Sequence, residues 1–215
     1  MKEILVLGDS HTPIFNHPSF HAGFPDCYFE VITVIGATAS GLENPNTKTQ
    51  AYPIFKQAME QSAAQTAIVM LGEVDTGFVI WYRANKYQES VSAMQARAVA
   101  SYSRFLQELA ARYDVVCIST PLPTIQDGND WGEVANARRE VTASQQERTA
   151  LTLEFNREMQ AFCVAHGLRY VMLDAASLGE DGLVKRTLLN PDPRDHHYNP
   201  EAYAHLLVEH LKGVL

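Results

Sequence analysis

Short apolar runs alternate with longer helical patterns along this sequence, and the alternation limits the folds that the chain can adopt. The apolar runs are Ile4–Leu7, Phe29–Ile35, Ala67–Leu71, Val115–Ser119 and Tyr170–Leu173. They are brief and mostly β-branched or aliphatic, which is typical of strands buried on both faces of a sheet. The helical patterns between them are Pro53–Ala64, Glu89–Arg112 and Thr142–His166. Strands that alternate with helices in this way predict a doubly wound α/β sandwich with a mainly parallel sheet.

The size and composition of the chain fit one globular domain. Its 215 residues, 46% of them hydrophobic, can bury a core without disulfide or metal support. We therefore predict a single domain over residues 1–215, with loop insertions at about 76–88 and 120–141. Both insertions follow predicted strands, at the carboxyl edge of the sheet, where open α/β sheets bind their ligands.

Charge, cysteine usage and hydropathy argue against several classes of function. The formal net charge of −8 gives no electrostatic reason to bind nucleic acid or an anionic membrane. Cys27, Cys117 and Cys163 are far apart and odd in number, which predicts reduced thiols rather than a disulfide framework or a zinc ribbon. No apolar run is long enough to cross a bilayer, and the first residues do not resemble a signal peptide, so we expect a cytoplasmic location.

A serine follows the first predicted strand, in the segment Gly8-Asp9-Ser10-His11. Gly8 permits a sharp turn, so Ser10 should lie just beyond the strand, in the crevice at the edge of the sheet. A serine in such a turn can act as a nucleophile, or it can simply cap the helix that follows. Asp9 and His11 flank Ser10, and we expect both to contact a bound substrate.

Glycines and small residues also follow the second and third predicted strands. The second strand leads into Gly36-Ala37-Thr38-Ala39-Ser40-Gly41, whose backbone N–H groups can approach a ligand closely, as an oxyanion site requires. The third strand leads into Gly72-Glu73-Val74-Asp75, which brings further polar groups to the same edge. Neither segment is a phosphate-binding loop, because the sequence contains no G-x-G-x-x-G and no Gly-Lys-Ser/Thr.

Acid and imidazole side chains precede the C-terminal helix, which is predicted to begin at Asn199 and Pro200. They are Asp192, Asp195, His196 and His197. An imidazole beside a carboxylate can be held in one tautomer and act as a general base. The same four side chains could instead form a metal site, although sequence neighbours rarely all point at one ion, or they could be surface residues without a role.

Taken in order, these four segments resemble the SGNH (GDSL-type) hydrolase family. The resemblance spans Gly8 to Tyr203, and its most specific parts are Leu7-Gly8-Asp9-Ser10 and the order of the segments. It implies a flavodoxin-like, three-layer α/β/α sandwich with a mainly parallel, five-stranded sheet. It also implies a serine that attacks an ester carbonyl, a histidine base near the C-terminus, and an oxyanion held by backbone N–H groups and an Asn side chain.

Matched by position, the resemblance assigns a role to individual residues. Ser10 is the nucleophile and His197 is the base, while the backbone N–H groups of Ser10 and Gly36 stabilise the oxyanion. Asp195 is the first choice for the carboxylate that orients the base. His196 and Asp192 remain alternatives for the base and its orienting acid.

Two segments depart from the family pattern. The family has Gly-x-Asn-Asp in the third segment, whereas this chain has Gly72-Glu73-Val74-Asp75 and offers no amide. Asp75 would help to hold an oxyanion only if it were protonated by burial or neutralised by a neighbour such as Arg83. In the last segment neither histidine follows an aspartate by three places, and we prefer His197 because the sequence from His197 to Pro200 resembles the family's entry into its final helix.

The resemblance implies a serine esterase or acyl hydrolase that works through an acyl-enzyme and needs no metal or organic cofactor. Its partner would be a small-molecule ester with a small acyl group, and an O-acetylated carbohydrate is one substrate class that such families use. Trp81 and Arg83 belong to the aromatic stretch 76–88, and we expect them at the wall of the substrate pocket. The sequence leaves the oligomeric state open.

Two other functions remain open at the level of sequence. The first is a binding protein on the same scaffold, in which Trp81, Tyr82 and Trp131 form a sugar- or peptide-binding surface. The second is an acyltransferase, which would use the same catalytic residues to pass the acyl group to another alcohol.

Overall fold

One five-stranded sheet forms the centre of the molecule in the computed structural model, which describes residues 1–128 and 141–215. The strands are β1 (Lys2–Gly8), β2 (Cys27–Thr33), β3 (Thr66–Met70), β4 (Asp114–Ile118) and β5 (Arg169–Val171). They lie in the order β2-β1-β3-β4-β5, and every neighbouring pair is parallel. This confirms the parallel sheet and all five predicted strands.

Helices connect the strands and cover both faces of the sheet. They are α1 (Pro18–Gly23), α2 (Ala51–Gln61), α3 (Ile80–Tyr87), α4 (Val91–Ala110), α5 (Gln145–Ala165), α6 (Asp174–Ser177) and α7 (Pro200–Leu211). The predicted helices correspond to α2, α4, α5 and α7, and Asn199 caps α7 as predicted, because its side chain accepts the N–H of Ala202 at 3.1 Å. In the described parts of the chain, none of the helices combines the length and the apolar character needed to cross a bilayer.

The central strands bury both of their faces, each in its own hydrophobic core. Because successive side chains of a strand point to opposite faces, Leu5 and Leu7 of β1 pack in one core and Ile4 and Val6 in the other. The first core includes buried side chains of α2, α4 and α5, and the second includes those of α1 and α7. The molecule is therefore a three-layer α/β/α sandwich, as the sequence predicts. Its three cysteines are free thiols.

The stretch 76–88, which we expected to be a loop insertion, is helical. A π-helical turn at Asp75–Val79 leads directly into α3. In this helix Ile80 and Ala84, one turn apart, are buried, and α3 packs against α4. The expectation was wrong because we interpreted the aromatic residues as a loop and overlooked this helical spacing. In the second predicted insertion, 120–141, the described residues contain neither helix nor strand, and Trp131 lies outside the described residues.

The strand order creates a crevice at the carboxyl ends of β1 and β3. The chain leaves β1 to form β2 on one side of it and then returns to form β3 on the other side. In an open α/β sheet, this reversal of direction is where ligands bind. Ser10 follows β1 and the Gly72–Asp75 segment follows β3, so the topology brings both predicted functional segments to this point.

Candidate active site

Ser10 lies in a tight turn directly after β1. Gly8, the last residue of the strand, passes so close to β3 that a Cβ atom there would lie 2.1 Å from the carbonyl oxygen of Met70. A side chain at this position is therefore excluded. Thr12 closes the turn, because its N–H and its hydroxyl donate to the carbonyl of Asp9 at 3.1 and 2.9 Å. The turn leaves Ser10 half-buried at the edge of the sheet.

A chain of hydrogen bonds joins Ser10 to two residues that are distant in sequence. The Nε2 atom of His197 is 2.9 Å from the Oγ atom of Ser10, and its Nδ1 atom is 2.6 Å from Oδ1 of Asp195. The same Oδ1 atom accepts the backbone N–H of His197 at 3.0 Å. Since an ionised carboxylate can only accept, we assign the proton to Nδ1, which leaves Nε2 as the acceptor for the Ser10 hydroxyl.

The surroundings of Asp195 keep it ionised. Partial burial acts to raise the pKa of Asp195, but the backbone and side-chain hydrogen bonds of His197, with the charges of His197 and His196, outweigh it. The net result is a pKa below the ordinary value for aspartate. An ionised Asp195 can orient the imidazole and stabilise it once it becomes protonated.

Asp9 and His11 form a second aspartate–histidine pair with the same local geometry. The Oδ1 atom of Asp9 accepts the backbone N–H of His11 at 3.0 Å and is 2.9 Å from His11 Nδ1. The His11 and His197 rings lie side by side, with centroids 4.7 Å apart. His11 lines the same cavity as Ser10, whereas Asp9 is only 1% exposed. We therefore expect Asp9 to act through His11 rather than to touch a substrate.

The two alternative catalytic residues lie differently from the preferred ones. Asp192 is exposed, and its carboxylate accepts the backbone N–H of Arg194 at 2.9 Å. The ring of His196 packs against that of His197, with centroids 4.1 Å apart, and its carbonyl accepts the hydroxyl of Thr124. The carboxylate that contacts His197 is that of Asp195, so the structure does not support Asp192 as the orienting acid.

The metal alternative falls on the same residues. Potential ligand atoms of Asp195, His196 and His197 lie within 4.8 Å of one another. Asp195 and His197 already share a short hydrogen bond through Oδ1 and Nδ1, and His197 Nε2 faces Ser10. An ion ligated by Asp195 Oδ1 and His197 Nδ1 would have to replace that hydrogen bond, so such a metal site and the hydrogen-bonded chain exclude each other.

The side chain of Asp75 does not donate to an oxyanion. Its carboxylate is wholly buried and accepts two backbone N–H groups, that of Ala39 at 2.7 Å and that of Ser40 at 3.0 Å. Burial raises the pKa of Asp75 to about 6, partly opposed by hydrogen bonds from Ser40 and Ala39 and by the charge of Arg83. The expectation that Asp75 serves in the oxyanion hole is therefore wrong, because both oxygens already anchor the loop after β2.

That loop carries Gly36, the second expected oxyanion donor. Gly36 has φ of +73°, a left-handed conformation that glycine adopts without strain. Asp75 fixes the same loop three and four residues further along, at Ala39 and Ser40. Val74 stands where the family has its Asn, and its side chain has no hydrogen-bond donor. The contribution of the Gly36 N–H stays a prediction.

Neither Trp81 nor Arg83 belongs to the described lining of the cavity that contains Ser10. The indole N–H of Trp81 donates to the carbonyl of Thr76 at 2.7 Å, and its ring lines a separate cavity of about 530 Å³. Arg83 lines another cavity of about 330 Å³ together with Ser40. The expectation fails because 80–87 is a helix whose buried residues are Ile80 and Ala84, which places Trp81 and Arg83 on its other faces.

The cavity at Ser10 has a volume of about 460 Å³, within the range of small-molecule sites. Its described lining comes from the turn after β1, the start of α1, the segment before α7 and the start of α7. A buried carboxylate, that of Glu73, belongs to the segment that follows β3 at the same edge of the sheet. Its charge adds to burial in raising the pKa of the cavity residue Tyr198. Sequence reasoning did not select Glu73, although a carboxylate directly after a buried strand was a usable signal.

Comparisons with known proteins identify the fold. No protein-family model and no curated protein sequence matches the chain. Among solved structures, it is similar to a GDSL-like lipase from Bacteroides thetaiotaomicron, with a TM-score of 0.62 and 14% identity over 99% of this chain and 87% of the other. It is also similar to a carbohydrate acetylesterase from Sinorhizobium meliloti, with a TM-score of 0.60 and 12% identity over all of both chains.

A third similar structure is an acetyl xylan esterase, with a TM-score of 0.59 and 9% identity over 99% of each chain. At these identities the similarity is one of fold. The chain has the three-layer α/β/α fold of the SGNH hydrolases, which confirms the fold that the four sequence segments predicted.

Proposed function

We propose that this chain, which has the fold of the SGNH hydrolases, is a serine hydrolase that cleaves carboxylic esters through an acyl-enzyme. One observation carries the proposal, the continuous hydrogen-bonded chain from Ser10 through His197 to Asp195. Nucleophile, base and orienting acid in this order are the arrangement that activates a serine. These two hydrogen bonds, from Ser10 to His197 and from His197 to Asp195, are also a reason to prefer catalysis over a role in binding alone.

In the first half of the reaction, Ser10 Oγ attacks the ester carbonyl carbon while its proton passes to His197 Nε2. Asp195 stabilises the imidazolium through its hydrogen bond to Nδ1. The carbonyl oxygen becomes an oxyanion, for which we assign the backbone N–H groups of Ser10 and Gly36 as donors. The bond from the carbon to the alcohol oxygen then breaks, and His197 Nε2 returns the proton to that oxygen, which leaves an acyl group on Ser10.

In the second half, a water molecule takes the place of the alcohol. His197 Nε2 accepts a proton from the water as its oxygen attacks the acyl carbon, and the proton then passes to Ser10 Oγ as the acyl–serine bond breaks. The products are the carboxylic acid and the free enzyme. Every step uses side chains and backbone groups of this chain together with water.

The names of two similar structures support a choice of substrate class. Two of them are named as esterases of acetylated carbohydrates, a carbohydrate acetylesterase and an acetyl xylan esterase. We assign a small-molecule ester, of which an O-acetylated sugar is the first to test.

Hydrolysis of 4-nitrophenyl acetate tests the function directly. We expect Ser10→Ala to lower kcat at least about 10³-fold, because the nucleophile is lost. Ser92→Ala, at an exposed position in the first turn of α4, is the matched control and should retain the wild-type rate. Equal rates in wild type and Ser10→Ala, with both proteins folded by circular dichroism, would show that Ser10 is not the nucleophile.

A further inference from the structure

The cavity beside Ser10 has an apolar and rigid wall. Pro13, Pro18 and Pro200 line it, and each stands in the first turn of a helical segment, where the fixed φ of proline suits the helix. Ile14, which follows Pro13 in the sequence, adds a half-buried aliphatic side chain to the lining. Because these residues have little freedom to rearrange, the cavity is formed before a ligand arrives, which lowers the entropic cost of binding.

The position of the cavity relative to His197 shows which half of an ester it faces. Its lining includes Ser10, His197 and Asp195, but none of the described loop that carries Gly36 and is anchored by Asp75. His197 Nε2 must reach the leaving oxygen to protonate it, so the alcohol half of the ester begins beside the imidazole. The carbonyl oxygen must point the other way, toward the oxyanion donors.

The charges around the cavity select against an anionic group. Its described lining contains no lysine or arginine but includes the ionised Asp195. Glu201 lies nearby, with a carboxylate oxygen 3.4 Å from Nε2 of the cavity residue His17. The side chains of Asn16 and Asn190 add neutral amides to the lining. A phosphate, sulfate or carboxylate on the ligand would meet the carboxylate of Asp195 and would find no lysine or arginine to pair with among the described lining residues.

We propose that this cavity binds the alcohol half of the substrate, and that the alcohol is uncharged and carries a ring or a group of similar bulk. The inference rests on the proposed ester hydrolysis and extends it to substrate selection. Ile14 then contributes to specificity for the alcohol, while the acyl group is bound elsewhere.

Two ester series separate the halves of the substrate. The first keeps acetate and varies the alcohol: ethanol, cyclohexylmethanol and 4-carboxycyclohexylmethanol. The second keeps ethanol and lengthens the acyl group from acetate to butanoate and hexanoate. We expect wild-type kcat/KM for cyclohexylmethyl acetate to exceed that for ethyl acetate by about 10-fold or more, because the ring fills the cavity. The carboxylate analogue should lose most of that gain.

Variants of Ile14 connect the preference to the cavity. Ile14→Trp should lower the ratio of kcat/KM for cyclohexylmethyl over ethyl acetate by about 10-fold, since the indole occupies the space of the ring. Ile14→Ala enlarges the cavity and should shift the preference toward bulkier alcohols. It provides a second test in case the tryptophan of Ile14→Trp impairs folding. Ile54→Trp, at an exposed position on α2, is the matched control and should leave both ratios unchanged.

The contrary outcomes are distinct. If the Ile14 variants change the acyl-length series and leave the alcohol series unchanged, the cavity binds the acyl half and the inference is wrong. If active variants change neither series, the cavity does not bind substrate. If wild-type protein hydrolyses none of these esters and Ser10 reacts with no fluorophosphonate probe, the proposed function itself fails, and the inference fails with it.

Discussion

Replacing Asp75 with asparagine should increase the stability of the protein relative to wild type as the pH rises from acidic to neutral. The same replacement should impair its activity. The carboxylate of Asp75 is wholly buried, and burial raises its pKa to about 6 from an ordinary value of 3.8. Below pH 3.8 the group is protonated in the folded and unfolded states alike. As the pH rises, Asp75 ionises first in the unfolded chain, near pH 3.8, and only near pH 6 in the folded protein. The free energy of unfolding therefore falls between these two values and has reached its lower level once the pH has passed through about 6. The difference amounts to about 3 kcal/mol.

Asparagine does not ionise and therefore escapes this loss. We predict that the unfolding free energy of Asp75→Asn, relative to wild type, increases by about 2.4 kcal/mol between pH 4 and pH 7.5, because a small part of the change already lies below pH 4. The amide offers one acceptor oxygen where the carboxylate offers two, so either Ala39 or Ser40 loses its partner and the loop that carries Gly36 is less well fixed. We expect kcat for ester hydrolysis to fall accordingly.

Urea unfolding of both proteins, followed by tryptophan fluorescence from pH 4 to 7.5, measures this difference. Asp174, whose pKa burial also raises to about 6, titrates in the same window but is present in both proteins and cancels. Arg83→Ala is an informative companion, because losing its charge should raise the pKa of Asp75 further and move the window upward. The reasoning would be refuted if the difference in unfolding free energy between Asp75→Asn and wild type stayed constant with pH. It would also be refuted if that difference changed in favour of wild type as the pH rises.

Three further predictions concern the chemistry at Ser10. His197→Ala should lower kcat for 4-nitrophenyl acetate by at least about 10³-fold, and His196→Ala should lower it far less, because His197 is the histidine that is hydrogen-bonded to Ser10. The reverse ranking in steady-state assays would exchange the roles of the two histidines. Val74→Asn should raise kcat about 10-fold or more by adding an amide donor, and an unchanged kcat would remove this position from the oxyanion site. Activity should survive EDTA, whereas loss on chelation and recovery with a divalent ion would favour a metal site.

The sheet was predictable because its strands are nearly continuous apolar runs. Strands such as β1 and β3 are covered on both faces, so burial alone selects their residues and little else competes with that signal. The stretch 76–88 was harder, because its aromatic residues suggested a pocket wall. Its helical character rests on two small or aliphatic positions, Ile80 and Ala84, one turn apart.

The site was predictable where local spacing decides geometry. Asp9-Ser10-His11 and Asp195-His196-His197 share an Asp-x-His spacing, and in both the aspartate accepts the backbone N–H and faces the Nδ1 atom of the histidine two residues later. This repeated pattern was visible in the sequence and gives a physical reason for the preference for Asp195 over Asp192. The bonds from Asp75 to Ala39 and Ser40 join residues 36 and 35 positions apart, and no local pattern encodes such contacts.

The most direct test of the central claim is to identify the residue that reacts with a fluorophosphonate, because only an activated serine attacks this probe. After incubation with the probe, digestion and mass spectrometry of the wild-type protein should locate one adduct, on Ser10, and His197→Ala should form it far more slowly. An unmodified Ser10, or an adduct on another serine such as Ser40, would contradict the account.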